Sequence, residues 1–238
     1  MRGEKVNILA IDTSSPSGSM ALLSGSDLIS EWTYGEVPTH SEWLLKALDA
    51  FLVSVNHTIK DVGLFAVGTG PGSFTGLRIG VTTVKGLAWT LNKKTVGVST
   101  LRALAYNLRY SKMYVCPVLD ARKGEVYAAL YSSDDDGFKA VIEEQVMAPE
   151  ALVDAIGRLN LDAPVVFLGG GLNVYSGFFT QRIKEARLAP KPLWHIRASN
   201  IALLALEGAG SEVEPIALNP AYLRKSEVEL KAKGSDSK

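Results

Sequence analysis

Apolar and polar positions follow two rhythms along this chain, and the rhythm changes at turn-forming residues. Residues 6–11 make a β-rich run that stops at Asp12. The polar stretch Thr13-Ser14-Ser15-Pro16-Ser17-Gly18 follows, and residues 19–24 are apolar again. That order predicts a hairpin with a long polar connection, and residues 28–34 supply a third strand. The rhythm then becomes helical. Thr39-His40-Ser41-Glu42 fits a capping box, in which a Thr at the N-cap and a Glu three residues on satisfy each other's orphan amides. The helix it opens puts Leu44, Leu48, Phe51 and Val55 on one face, with Leu45 and Leu52 beside them.

A short buried strand over 64–68 leads into a helix over 75–92, whose apolar stripe is Leu77, Val81, Val84, Ala88 and Leu91. Another strand (96–98) and helix (100–108) complete a β-β-β-α-β-α-β unit. From residue 113 the opening plan returns: strand 115–119, Asp120, the turn Ala121-Arg122-Lys123-Gly124, and a return strand over 125–131. Residues 132–137 read as a solvated acidic hairpin tip. A helix over 149–159, a strand over 165–168, a sharp Gly169-Gly170-Gly171 turn and a helix over 203–209 follow. Two copies of strand, Asp, turn and strand suggest duplicated lobes facing a cleft. The expected division is a first lobe over 1–108, a second over 109–199, a segment 200–224 packing back on the first, and a disordered charged tail over 225–238.

Composition narrows the class. The chain has 238 residues, 47% of them hydrophobic, which supports a packed α/β core. Lys and Arg number 25, as do Asp and Glu, so the net charge is zero. A protein gripping nucleic acid by itself usually carries a basic excess. The single Cys116 permits no intrachain disulfide, which fits a reducing compartment, and its apolar setting favours a buried thiol over a nucleophile. No segment reaches the roughly 18 apolar residues of a spanning helix, so a cytoplasmic protein without membrane contact is expected.

The candidate chemistry centres on Gly68-Thr69-Gly70-Pro71-Gly72-Ser73-Phe74-Thr75-Gly76. No Gly-Lys-Ser/Thr follows, and Thr75 stands where a dinucleotide loop has glycine, so neither common phosphate-loop pattern fits. Ser73 or Thr75 can cap the helix, whose free amides could hold an anion; a tight capped turn is the alternative. Gly76 and Gly80 are spaced i, i+4 inside the helix, each at a cost of roughly 1 kcal/mol relative to Ala. Close approach, within the lobe or across a subunit interface, would explain them, and the interface is the favoured expectation. Asp12, Thr13 and Ser14 could hold water, a metal or phosphate oxygens, or simply bond to their own turn; Asp120 with Arg122 poses the same choice. His40, His57 and His195 lie too far apart in sequence for a recognisable metal motif, and no nucleophile is assembled.

Four segments together closely resemble the TsaB family, also called YeaZ. They are Ile8-Leu9-Ala10-Ile11-Asp12-Thr13-Ser14, Thr39-His40-Ser41-Glu42, Gly70-Pro71-Gly72-Ser73-Phe74-Thr75-Gly76-Leu77-Arg78-Ile79-Gly80 and Asp120-Ala121-Arg122-Lys123-Gly124-Glu125-Val126-Tyr127. Pro220-Ala221-Tyr222-Leu223-Arg224 and the Gly169 turn extend the match loosely. The resemblance implies an α/β, two-lobed, actin-like and Hsp70-like (ASKHA) fold. It implies a non-catalytic, dimerising subunit in the making of threonylcarbamoyladenosine at position 37 of tRNA, which binds the transferase TsaD together with the ATPase TsaE and forms homodimers when alone. On that basis tRNA is reached only through the complex, no cofactor is the chain's own, and ATP or ADP belongs at the level of the complex.

The resemblance also implies a partner surface of His40, Leu44, Leu45, Leu48, Gly76, Leu77, Gly80, Thr83, Val84 and Leu87 on first-lobe helices. Asp12, Thr13, Ser14, Asp120, Gly169, Gly170 and Gly171 are the candidates for a nucleotide. In the catalytic relative a His-x-x-x-His pair binds the metal; Thr100 and Leu104 stand at those places here, and neither can replace a histidine. The competing expectation is an ATP-binding ASKHA transferase or glycoprotease-like enzyme acting alone.

Overall fold

The computed structural model describes residues 5–35, 39–134 and 137–223. Arg224, the tail 225–238 and Asp135 and Asp136 of the acidic hairpin tip lie outside the described residues. The elements are β1 (Asn7–Asp12), β2 (Gly18–Ser24), β3 (Asp27–Tyr34), α1 (His40–Ser54), β4 (Leu64–Gly70), α2 (Phe74–Thr90), β5 (Lys94–Ser99) and α3 (Thr100–Ala105). After a short 3-10 turn come β6 (Tyr114–Arg122), β7 (Glu125–Asp134), β8 (Gly137–Met147), α4 (Pro149–Gly157), β9 (Val165–Leu168), α5 (Leu172–Arg182) and β10 (Arg187–Leu188). α6 (Ala198–Leu206) and β11 (Glu212–Val213) complete the described set.

Two sheets carry the fold, ordered β11-β5-β4-β1-β2-β3 and β10-β9-β6-β7-β8. Apart from β11 they match strand for strand. In each, an antiparallel hairpin (β1–β2, β6–β7) extends to a third antiparallel strand, and its first strand pairs in parallel with the strand that follows a crossover helix (β4, β9). This is the duplicated α/β, two-lobed architecture of the ASKHA class.

Burial on both faces explains why residues 8–11 of β1 and 20–23 of β2 are apolar without alternation. Ile8, Ala10, Ala21 and Leu23 face the core between the sheets, whereas Leu9, Ile11, Met20 and Leu22 face a second core under α1 and α2. The first of these cores also takes α3 and α6, and α6 packs on β1, β2, β4 and β5. A third core lies between the second sheet and α4 and α5.

Several local expectations change. Thr39 precedes α1 but makes no side-chain cap; its carbonyl accepts from Glu42 N at 3.3 Å instead. A reciprocal cap forms at Thr58, where Asp61 Oδ2 accepts from Thr58 N at 2.7 Å and Oγ1 at 2.8 Å. The last long helix begins at Ala198 rather than residue 203, its first turn carrying the buried polar Ser199 and Asn200, and it ends at Leu206 before Gly208, whose φ is +75°. β8 and α5 carry no clear periodic signal: β8 is an edge strand with Lys and Glu among its apolar residues, and α5 contains Ser176 and Gly177.

Candidate functional site

The polar turn after β1 is seated on the glycine junction between β4 and α2. Thr13 Oγ1 donates to Gly76 O at 2.7 Å, and Ser73 N donates to Ser14 O at 2.7 Å. Ser73 caps α2 by accepting from Gly76 N at 3.3 Å. The glycines are what admit the turn. A Cβ on Gly76 would lie 2.0 Å from Thr13 O, one on Gly80 2.4 Å from Thr13 Oγ1, and one on Gly72 2.4 Å from Ser14 O. On its other side the junction meets the C-terminal segment: Ala221 N donates to Thr69 O at 2.8 Å, and Tyr222 stacks on Phe74 at 5.1 Å.

Burial decides the chemistry of Asp12. The residue is 1% exposed; Oδ2 accepts from Ser14 N at 3.3 Å, and Oδ1 has no hydrogen-bond partner among the described residues. Desolvation pushes its pKa up to about 7, against the smaller opposing effect of the neighbouring Ser14 hydroxyl and amide. Ser14 Oγ, also buried, makes no hydrogen bond among the described residues.

The corresponding places in the second sheet are built differently. Asp120 turns back on its own loop, accepting from Arg122 N at 2.8 Å and pairing with the Arg122 guanidinium at 3.4 Å. Gly169 (φ +113°) and Gly171 press on β6, where Cβ atoms would lie 2.4 Å and 3.0 Å from Val118 O; Gly170 has open space around it. Thr100 is fully buried and donates to Pro71 O. Leu104 is fully buried too, with its Cδ2 2.8 Å from where a Gly169 Cβ would stand. Both therefore serve packing. Among the described residues no group of three His, Cys, Asp or Glu is arranged to hold a metal. His40 Nδ1 accepts from Trp43 Nε1 at 3.2 Å, which leaves Nε2–H to donate to Ser15 O at 2.8 Å. Cys116 is fully buried in an apolar core, and burial pushes its thiol pKa up.

The surface of α1 and α2 needs a correction. Of the residues expected to meet a partner, Leu44, Leu48, Gly76, Leu77, Gly80 and Val84 are buried within the lobe itself. A helix lying on a sheet turns its apolar stripe inward. The close approach that Gly76 and Gly80 permit is thus to Thr13, not to another subunit. His40, Thr83 and Leu87 are half-buried, and Leu45 is 58% exposed. What faces outward is a shallow groove between the helices, lined by Ser41, Leu44, Leu45, Arg78, Ile79, Thr82 and Thr83. Arg78 is held at its rim, 3.9 Å over the Phe74 ring, with Nε donating to Tyr222 OH at 3.1 Å. Apolar periodicity points to the inward face, so it could not select Ser41, Arg78 or Thr82; the polar positions opposite the stripe were the available signal.

Comparison with known proteins adds to this geometry. The family model described as TsaD, tRNA N6-adenosine threonylcarbamoyltransferase, matches residues 35–232. The chain is similar to a Bacillus subtilis protein named tRNA threonylcarbamoyladenosine biosynthesis protein TsaB, 33% identical over 228 residues, which are 95% of this chain and 97% of that one. The solved structure of YeaZ from Pseudomonas aeruginosa superposes with a TM-score of 0.73 at 25% identity, covering 91% of this chain and 99% of YeaZ. Component A of Acidaminococcus fermentans (R)-2-hydroxyglutaryl-CoA dehydratase shares the fold alone, with a TM-score of 0.51 and 12% identity over 86% of this chain and 99% of that one.

Proposed function

The chain belongs to the TsaB (YeaZ) family, and from that premise we propose that it is a non-catalytic, dimerising subunit which docks the transferase TsaD through the outer face of α1 and α2. Its place in tRNA threonylcarbamoyladenosine biosynthesis follows from the family. In this reading TsaE joins the pair, tRNA is met only through the assembled complex, and a second copy of the chain covers the face when TsaD is absent. The chain brings no cofactor, and ATP or ADP enters at the level of the complex.

One contrast carries the proposal. Three positions where chemistry was sought are filled from within: Thr13 by Gly76, Thr100 by Pro71, Leu104 by Gly169. The groove beside Leu45 and Arg78, by comparison, is open to solvent. Light scattering after size exclusion, of the chain alone and mixed with TsaD, tests it. Dimers alone and a heterocomplex with TsaD are expected, and Leu45→Arg weakens both while leaving the unfolding transition intact. A strict monomer that ignores TsaD overturns the proposal.

A second function, an ATP-binding enzyme acting alone, is favoured by one observation. Asp12 Oδ1 and Ser14 Oγ are buried polar atoms without hydrogen-bond partners among the described residues, at the edge of the junction, and such atoms ask for a ligand or water. Calorimetry with ATP, followed by a turnover assay on the lone chain, separates the two. Heat of binding with turnover selects the enzyme, and neither is expected.

A further inference from the structure

The two lobes are tied together by the chain itself at one end of α3. The chain crosses between them over residues 109–113 and returns over 189–198. Asn107, in the 3-10 turn after α3, holds the returning segment by donating from Nδ2 to Leu193 O at 2.9 Å and to His195 O at 3.0 Å. The opposite end of α3, roughly 13 Å away along its axis, is joined to the second lobe by side chains. Ser99, the N-cap of α3, donates to Glu144 Oε1, and Tyr131 OH donates to the same oxygen at 2.7 Å. Ser99 Oγ accepts in turn from Arg102 N at 3.1 Å, and Thr100 donates to Pro71 O, so this end of α3 also rests on the glycine junction.

The backbone of β8 is shaped to present Glu144 there. Ala128 of β7 stands opposite Gln145, but Leu130 stands opposite Ile142, so two steps along β7 match three along β8. That mismatch is a β-bulge at residues 143–144, and bulges re-aim side chains. In a regular strand Ile142 and Glu144 would share a face. With the bulge, Ile142 packs in the core under α4 and α5, whereas Glu144 meets Tyr131, which belongs to the core between the sheets. Tyr131 is 2% exposed, and burial, with the Glu144 charge second, pushes its pKa up, which keeps the hydroxyl a donor.

We propose that Glu144 is a latch between the lobes: with Ser99 and Tyr131 it closes the end of α3 away from the chain crossings, and its release lets the lobes part there while Asn107 keeps the crossings together. The closed arrangement leaves polar atoms poorly served at this same end. Asp12 Oδ1 and the Thr100 methyl lie 2.4 Å and 3.0 Å from where a Gly68 Cβ would stand, and neither Asp12 Oδ1 nor the buried Arg102 Nε has a hydrogen-bond partner among the described residues. Parting at the latch gives those atoms water, which offsets part of the cost of opening. The latch is independent of whether the outer face of α1 and α2 docks a partner.

Thiol labelling of the full chain separates parting of the lobes from unfolding. Leu104 is buried where α3 meets Gly169 of the second lobe, so Leu104→Cys places a thiol in the contact that opens. The native Cys116, buried in the core under α4 and α5, reacts only when the second lobe itself unfolds. In the Leu104→Cys chain, Glu144→Ala should speed labelling at residue 104 about tenfold or more and leave the rate at Cys116 unchanged. Glu144→Gln, whose amide oxygen still accepts from Ser99 and Tyr131, should restore slow labelling. Hydrogen exchange over residues 99–105 reads the same opening in a chain with Leu104 intact, should the reporter cysteine prevent folding. Unchanged labelling and exchange in Glu144→Ala overturn the latch. Equal acceleration at residues 104 and 116 overturns it too, since Glu144 would then support stability alone.

Discussion

The turn after β1 and the turn after β6 occupy equivalent places in the two sheets, and an aspartate stands near the end of the strand before each, Asp12 in β1 and Asp120 in β6. The first reaches Ser17 before β2 resumes, long enough to lie across the β4–α2 junction and bury Asp12, Thr13 and Ser14. The second is only Lys123 and Gly124; Arg122 and Lys123 adopt left-handed φ of +63° and +56°, and Asp120 spends its carboxylate on its own loop. Length therefore separates a load on the neighbouring helix from a local turn. The helices reflect this: α2 contains Gly76 and Gly80 beneath the turn, whereas α5 starts at Leu172 with Gly170 in open space. Duplication supplied the frame, and the length of one connection decided which half gained a buried polar cluster.

The largest test of this contrast is the pH dependence of Asp12. Its pKa in the folded chain, about 7, lies above the ordinary 3.8, so the stability it contributes is full below pH 3.8 and is lost as pH rises through about 7. The shift corresponds to on the order of 4 kcal/mol. Urea unfolding from pH 4 to pH 8 should show wild-type stability falling relative to Asp12→Asn by an amount of that order. Parallel curves for the two proteins would remove the buried neutral carboxyl from the account.

Next is Gly76→Val. Its Cβ would stand 2.0 Å from the Thr13 carbonyl, so the turn must lift, at a cost of about 3 kcal/mol or more in denaturant unfolding. Thr13→Val keeps the volume and deletes the bond to Gly76 O, which should cost about 1 kcal/mol in the same measurement. The smallest effect belongs to the second sheet: Gly170→Ala has open space to enter, and should change stability by no more than about 0.5 kcal/mol. A loss at Gly170 as large as that at Gly76 would erase the difference between the two junctions.

Much of the frame was legible from periodicity. Each predicted strand forms, because a run buried on both faces, such as residues 8–11, has few alternatives once Asp12 ends it. The elements that escaped are those whose own residues do not choose. β8 gains its pairing from β7, and β10 and β11 are two-residue edges defined only by β9 and β5. The site was legible by residue type but not by facing. Asp12, Thr13, Ser14 and the glycines were recognisable as special, yet their use for internal packing required the turn and the junction to be seen together.

By itself the chain determined most of the alternation of strands and helices, the duplicated plan, the family and which residues form the apolar stripes of α1 and α2. These follow from local period and turn chemistry, which act over a few residues. Only the tertiary structure decided what the glycines are for. Whether a missing side chain makes room for Thr13, as at Gly76, or for nothing among the described residues, as at Gly86, depends on atoms more than sixty residues away in the first case and on their absence in the second. The same holds for Asp12, whose charge state is set by how much water the folded chain excludes around it.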